Sequence, residues 1–316
     1  LLVLESMKME HEVLAEVGGQ LRSVEVTLGQ TVEEGELVAT VEPGGETAAA
    51  ATRDGAEPVG DRADLHAVIE RHRLTLDEAR PGAVDKRHQT GRRTAREDLE
   101  HLLDPGSYLE YGPLIFAAQE QRRSKDELIH RTPADGLVAG VGDVEGHPTV
   151  ALSYDYTVLA GTQGMRNHLK KDRLFEVAER RRLPVVLFAE GGGGRPGDVD
   201  WPHVAGLDCR AFQLFAQLSG LVPLVGIANG YCFAGNAALL GCCDVVIASE
   251  DSSIGMGGPA MIEGGGLGVF EPGDVGPVDV QWENGVVDIR VTDHHAAVEA
   301  AKRYLRYFRG ATEPAS

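Results

Sequence analysis

The sequence predicts an α/β protein, an apolar sheet covered by helices, preceded by a short all-β segment. Three observations carry this. From about Gly136 onward, short β-rich runs alternate with helical stretches, the order that places helices on the faces of a sheet. Residues 1–43 read instead as short strands broken by glycine turns. Between them, residues 44–61, "GGETAAAATRDGAEPVGD", are small, polar and aperiodic, which is linker composition. The expected division is therefore 1–43, 44–61 and 62–316.

In the first segment, apolar residues alternate at Val24, Val26 and Leu28 and gather again at Leu37, Val38, Ala39 and Val41. Gly18-Gly19, Gly29 and Gly35 supply the turns. The third segment opens with polar helical stretches at 63–73 and 93–103. Strands are expected at 136–143, 149–155, 184–189, 222–228 and 245–249. Helices are expected at 165–182, at 204–218 and, as a short piece, from about Phe233.

Composition narrows the function classes. A chain of 316 residues has room for two or three domains and a sizeable core. It has no run of roughly 18 apolar residues to span a bilayer, and Leu1-Leu2-Val3-Leu4 is too short for a signal sequence. Cys209, Cys232, Cys242 and Cys243 lie in apolar text without metal-ligand spacing, so buried thiols and a cytoplasmic setting are expected. A net charge of −19 argues against nucleic-acid binding. The charge is uneven: residues 1–61 hold thirteen acids and three bases, whereas 80–96 hold six bases and one acid.

One short stretch asks for a special reason. Glu5-Ser6-Met7-Lys8-Met9 sets a lysine between two methionines. Lysine is normally exposed and methionine normally fills core gaps, so a plain edge strand explains the pattern poorly. A lysine that carries a swinging arm must instead stand at an exposed hairpin tip, with flanking side chains for a modifying enzyme to grip. "ESMKM" resembles the attachment site of biotinyl carrier domains, and "GGQLRSVEVTLGQTVEEGELVATVEP" resembles the second half of such a domain. The resemblance implies biotin on Lys8, added by a biotin protein ligase. In that family the lysine lies near the middle of a quasi-symmetric barrel. Only seven residues precede Lys8, so half of the all-β hammerhead is expected to be missing.

A second resemblance covers most of the remainder. "AVDKRHQTGRRTAREDLEHLLDPGSYLEYGP", "VALSYDYTVLAGTQG", "PVVLFAEGGGGRPGD", "PLVGIANGYCFAGNAALLGCCDVVIA" and "GPAMIEGGGLGVFEPGDVGPVDVQWENGVVD" are similar, in this order, to acyl-CoA carboxylase carboxyltransferases. The resemblance implies a crotonase-like fold of stacked ββα turns and an acyl-CoA substrate. The reaction it implies passes a carboxyl group from carboxybiotin to the acyl α-carbon through an enolate. The order of the two parts resembles single-chain bacterial carboxylases, and "EGGGGRPGD" and "GPAMIEGGGLG" look closest to the long-chain acyl-CoA type. The chain is expected to be a fragment acting with a biotin carboxylase, which uses ATP and Mg, and with a C-terminal carboxyltransferase domain. A homo-oligomer is expected.

Within that resemblance, backbone N–H groups after a strand hold the thioester oxygen as it gains charge, and glycine lets them approach closely. The run Gly191–Gly194 after the 184–189 strand matches this role, which makes Gly192, Gly193 and Gly194 candidates; a plain surface loop is the alternative. Phe233, Ala234 and Gly235 in "NGYCFAGNA" form the second candidate set, with Phe233 standing where the family usually has a small residue. The glycine-rich 255–268 is either the wall of the same pocket or a flexible loop. Cys232 reads as a packed thiol. The basic residues Lys86, Arg87, His88, Arg92, Arg93 and Arg96 either meet CoA phosphates or form a solvated helix start. Paired catalytic carboxylates, metal-ligand spacing and a phosphate loop do not appear in the sequence. Two other functions stay open: a crotonase-type hydratase or isomerase, for which only Glu190 is placed, and a non-catalytic scaffold for CoA esters and a biotin arm.

Overall fold

The computed structural model describes residues 2–6, 9–15, 17–44, 62–200 and 209–309. The chain divides into two units, Leu1–Ala63 and Asp64–Ser316.

In the first unit, β1 (Leu2–Ser6) pairs antiparallel with β2 (Met9–Val13), from Leu2 opposite Val13 to Ser6 opposite Met9. The residues that connect them, Met7 and Lys8, lie outside the described residues. A second ribbon joins β3 (Gly19–Val24) to β4 (Ala39–Pro43), with a bulge between Leu21 and Ser23. Gly29 and Gly35 take positive φ at the turns between these strands, as their turn role requires. Among the described residues of this unit none is buried, and Leu21, Val24, Leu28 and Leu37 are exposed. Two-stranded ribbons without a packed face are marginal in water, which is the condition expected of half a barrel.

The second unit is built on one seven-stranded sheet. Its strands are β5 (Leu109–Glu110), β6 (Leu137–Val144), β7 (His147–Tyr154), β8 (Val185–Phe188), β9 (Leu224–Ala228), β11 (Val245–Ser249) and β13 (Ile289–Val291), side by side in this order. From β7 to β13 all pairings are parallel. Such strands are covered on both faces and read as continuous apolar runs. Val185 and Leu187 accordingly join one core cluster while Val186 and Phe188 join the other. The first cluster is closed by α5 (Met165–Arg181), α6 (Ala211–Gln217) and α7 (Gly235–Leu240), the second by α3 (Ala95–Leu102) and α10 (His294–Arg306).

The expected ββα repeat is visible in the register. After β9 the chain forms β10 (Tyr231–Phe233) and then α7; after β11 it forms β12 (Ser253–Gly255) and, further on, α9 (Val278–Glu283). Just as β9 pairs with β11 in the main sheet, β10 pairs with β12 beside it, Phe233 opposite Gly255. Gly191, just past β8, extends this second layer by a parallel bridge to Cys232.

Four of the five expected strands and four of the five expected helices are present with shifted ends, together with the fully matched β11 and α1 (Ala63–Arg73). The helix expected at 93–103 starts at Ala95 because Thr94 caps it. Its hydroxyl accepts from the Glu97 N–H at 3.1 Å, and the Glu97 carboxylate accepts from the Thr94 N–H at 2.7 Å. Part of the helix expected at 204–218 lies outside the described residues; the described part is α6. Helix α10 has no expected counterpart, although Ala297, Ala301 and Leu305 recur every four residues on its buried face. Among the described residues no helix is long and apolar enough to cross a membrane.

Candidate active site

Parallel sheets of this kind present their ligand sites at the carboxyl ends of the strands. The glycine run leaves β8 at that edge. Gly191 donates to the Tyr231 carbonyl at 2.7 Å, and Phe233 donates back to the Gly191 carbonyl at 2.8 Å, so the run lies against β10. Gly193 takes a φ of +85°, and a Cβ there would fall 2.6 Å from the Ala234 Cβ. Gly193 thus lies against all of Phe233, Ala234 and Gly235, while Gly192 and Gly194 flank it along the run.

The hydrogen bonds sort these six amides into two groups. Gly192 donates to the Ala160 carbonyl at 3.0 Å, Gly193 to Asn236 Oδ1 at 3.1 Å, Phe233 to Gly191 and Ala234 to the Gly255 carbonyl at 2.9 Å. The Gly194 and Gly235 amides have no acceptor among the described residues. A register argument explains the first. Gln163 forms a parallel bridge with Gly194, taking the Gly193 carbonyl at 2.7 Å and the Arg195 N–H at 3.0 Å. Strand geometry then turns the intervening Gly194 N–H the other way. A Cβ added to Gly194 would meet nothing within 4 Å, so this amide borders open space. Gly235 begins α7, where an N–H has no intrahelical partner.

Ala234 enables this arrangement at a cost. Its φ of 51° and ψ of −120° lie where essentially only glycine is at ease. Ala234→Gly is expected to raise the stability of the unit by about 1 kcal/mol, the relief of strain less the added freedom of the unfolded chain. Thermal unfolding checks this; a fall in melting temperature would contradict the strain. Phe233 is buried, its ring stacked on Tyr231 with centroids 6.1 Å apart. A Cβ on Gly258 would sit 3.3 Å from the Phe233 ring, so the glycine-rich 255–268 starts flush against it. Further on, Met261, Leu267 and Val269 are exposed.

Charge is anchored around the run. Arg195 bonds the buried Asp135 carboxylate and lies 3.4 Å from Asp198. Glu190, just before the glycines, is held by Arg87 at 2.5 Å and Arg92 at 3.0 Å. Any Cβ on Gly230 would fall 2.3 Å from a Glu190 oxygen. Enclosed in this way, Glu190 is not free to move a substrate proton, which removes the basis for the hydratase reading. The basic residues divide similarly: Arg92 also meets Asp251, Arg93 meets Asp98, Arg96 meets Glu110 and His88 meets Glu97. Lys86 forms no ion pair among the described residues. It lines a cavity of about 710 Å³ together with Arg87, Arg92, Tyr156, Tyr231 and Asp251. Within the basic run, Lys86 is the cation of this cavity that no carboxylate among the described residues engages.

Cys232 is a packed thiol, pushed well above the usual range by burial. The structure adds a contact that the sequence gives no sign of, Cys209 Sγ at 3.4 Å from His168 Nδ1. Burial lowers the His168 pKa to about 2, so the ring stays neutral and does not stabilise a thiolate. Other residues of the site escape sequence reading: Gln163, Lys171 and Asn236. All three are buried polar side chains, and their signal is a polar residue on an apolar face, as Lys171 lies one turn from Leu174 and Phe175 on α5.

Comparison with known proteins follows the two units. Residues 86–315 match the carboxyl transferase domain family, and residues 1–41 match the biotin-requiring enzyme family. The methylmalonyl-CoA carboxyltransferase 12S subunit of Propionibacterium freudenreichii subsp. shermanii is 30% identical over 239 residues, covering 74% of this chain and 44% of that protein. A solved single-chain, multi-domain long-chain acyl-CoA carboxylase is 54% identical, with a TM-score of 0.77 over 99% of this chain and 30% of its own. The transcarboxylase 12S structure, described as a hexamer assembly, is 27% identical, with a TM-score of 0.65 over 76% of this chain and 46% of its own. The chain thus spans less than half the length of these relatives. Their fold is the crotonase-like one described above. With the matching model covering most of the second unit, the chain belongs to the carboxyl transferase family.

Proposed function

We propose that the second unit is the acyl-CoA-binding half of a biotin-dependent acyl-CoA carboxylase's carboxyltransferase, and that the first unit is the second half of its biotin carrier. The observation that carries the reading is the pair of amides without acceptors, Gly194 and Gly235, on facing loops at the carboxyl edge of the sheet. When the α-carbon of an acyl thioester loses its proton, negative charge moves to the thioester oxygen. Two N–H groups fixed beforehand stabilise that charge without reorganising. Gly192, Gly193, Phe233 and Ala234 hold the two donors in place, and Phe233 walls the acyl group. Lys86, which lines the cavity beside Tyr231, suits a CoA phosphate.

Biotin, when bound, supplies the carboxyl group. Lys8 suits its attachment: it stands in "ESMKM", and β1 and β2 pair up to Ser6 before it and Met9 after it. No carboxylate is free beside the two amides among the described residues, so this chain's own part is alignment and charge stabilisation. The rest of the machine is read as a biotin carboxylase using ATP and Mg and a C-terminal carboxyltransferase domain, in a cytoplasmic homo-oligomer. A long-chain acyl-CoA is the favoured substrate, supported by the 54% identity to a long-chain carboxylase.

The 316-residue chain alone is expected to bind acyl-CoA and not to carboxylate it, because the second wall of the reaction site comes from the other domain. Titration calorimetry measures the binding. Product is then sought after adding free biotin, bicarbonate, ATP and a separate biotin carboxylase. Efficient carboxylation by this chain alone would overturn the proposal.

A further inference from the structure

Lys171 stands on the buried face of α5 with no exposed surface. Its ammonium group donates to the Tyr154 hydroxyl and to Gln163 Oε1, both at 2.8 Å, and among the described residues it pairs with no carboxylate. The titratable and charged groups facing it are Cys209, Asp172, Asp135, Arg195 and His168; Cys209 contacts His168, and Asp135 is already bonded to Arg195. Burial lowers its pKa to about 7. Enclosing an ammonium without a counter-charge is expensive, and an apolar side chain of the same length would fill the space at lower cost. Packing therefore gives no reason for a lysine here.

The hydrogen-bond directions give one. A lysine ammonium only donates. Gln163 must therefore turn Oε1 towards Lys171, which leaves its Nε2 to donate to Asn236 Oδ1 at 3.2 Å. Asn236 in turn donates from Nδ2 to the Gly161 carbonyl at 3.3 Å and accepts the Gly193 N–H on Oδ1. Flipping Gln163 would set its NH2 against the ammonium and its oxygen against Asn236 Oδ1. Reversing Asn236 would set an NH2 against the Gly193 N–H. A neutral amine can donate to Gln163 but can also accept from it, so once the Lys171 proton is lost the direction is held by Asn236 Oδ1.

We propose that Lys171 is a positioning residue for carboxyl transfer, acting through Gln163 and Asn236 to lock the Gly193 amide and so keep the adjacent Gly194 N–H free and aimed at the thioester oxygen. This rests on the reading of Gly194 as a donor given above. Gln163 is the junction: its side chain continues the relay, while its backbone brackets Gly194.

Two substitutions in the full-length carboxylase test it. Lys171→Met fills the volume without donating. Gln163→Glu keeps the acceptor for Lys171 but removes the donor to Asn236. Each is expected to lower kcat about tenfold to a hundredfold, the scale of a small misplacement in an aligned site, with KM for acyl-CoA changed less than about twofold. Combined, they should be no worse than either alone, because both cut one chain. Lys171→Met should leave Tm unchanged or raise it, which separates positioning from a structural role. In the 316-residue chain, the Gly193 amide resonance should shift in both variants. Unchanged kcat in both variants would overturn the proposal, as would parallel losses of activity and Tm with KM rising. If Lys171→Met does not fold, Gln163→Glu decides. Full-length protein without any carboxyl transfer would overturn the reading of the site instead; the Gly193 resonance then decides the relay by itself, moved if it exists and unmoved if it does not.

Discussion

Lys8→Ala in the full-length carboxylase is expected to abolish both biotin incorporation and carboxyl transfer. An avidin blot reads the first and product formation reads the second. The expectation is absolute because a tethered cofactor has no second route: the amide link needs a primary amine, and alanine has none. The support comes from three places. "ESMKM" surrounds the lysine, residues 1–41 match the biotin-requiring enzyme family, and β1 and β2 pair up to Ser6 and Met9 on either side of it. Persistent avidin signal in Lys8→Ala would move the attachment elsewhere.

The next largest effect is expected from Gly194→Pro, a loss of about a hundredfold in kcat, or roughly 3 kcal/mol of transition-state stabilisation, with little change in acyl-CoA binding. Proline deletes an N–H that has no acceptor among the described residues, and it also restricts the backbone at Gly193 before it. The control is Gly194→Ala, whose Cβ would meet nothing within 4 Å and which keeps the donor. Gly193→Pro is a poorer probe. The φ of +85° at Gly193 is closed to proline, and its N–H already belongs to Asn236. Near-normal turnover in Gly194→Pro would make this loop a surface turn.

How much of this was legible beforehand depends on the range of the interaction. The central strands declared themselves because their runs are apolar on both faces, whereas the Thr94–Glu97 cap, although it spans only four adjacent residues, went unread and the helix was expected to start at 93. The candidate loops were legible as glycine text at strand ends. Which amides remain free was not, because it is decided by partners far along the chain: Gln163 and Asn236 for the first loop, Gly255 for the second. The basic run shows the same limit. Arg87 and Arg92 are alike in sequence to ligand-binding arginines, and only the fold brings Glu190, about a hundred residues away, between them.

The strands of the main sheet stand in the order in which the chain reaches them, from β5 to β13. A ribosome therefore releases each strand beside the open edge left by the one before, and no later strand must be inserted between two already paired. Each docking step closes only the loop spanning one crossover, so the entropy of ordering is met in instalments along translation. Until β13 arrives, one growing edge at a time is available for mispairing. Among the described elements of this unit α10 emerges last and covers the second core cluster, so the β9 and β11 side of that face stays open until α10 has been made.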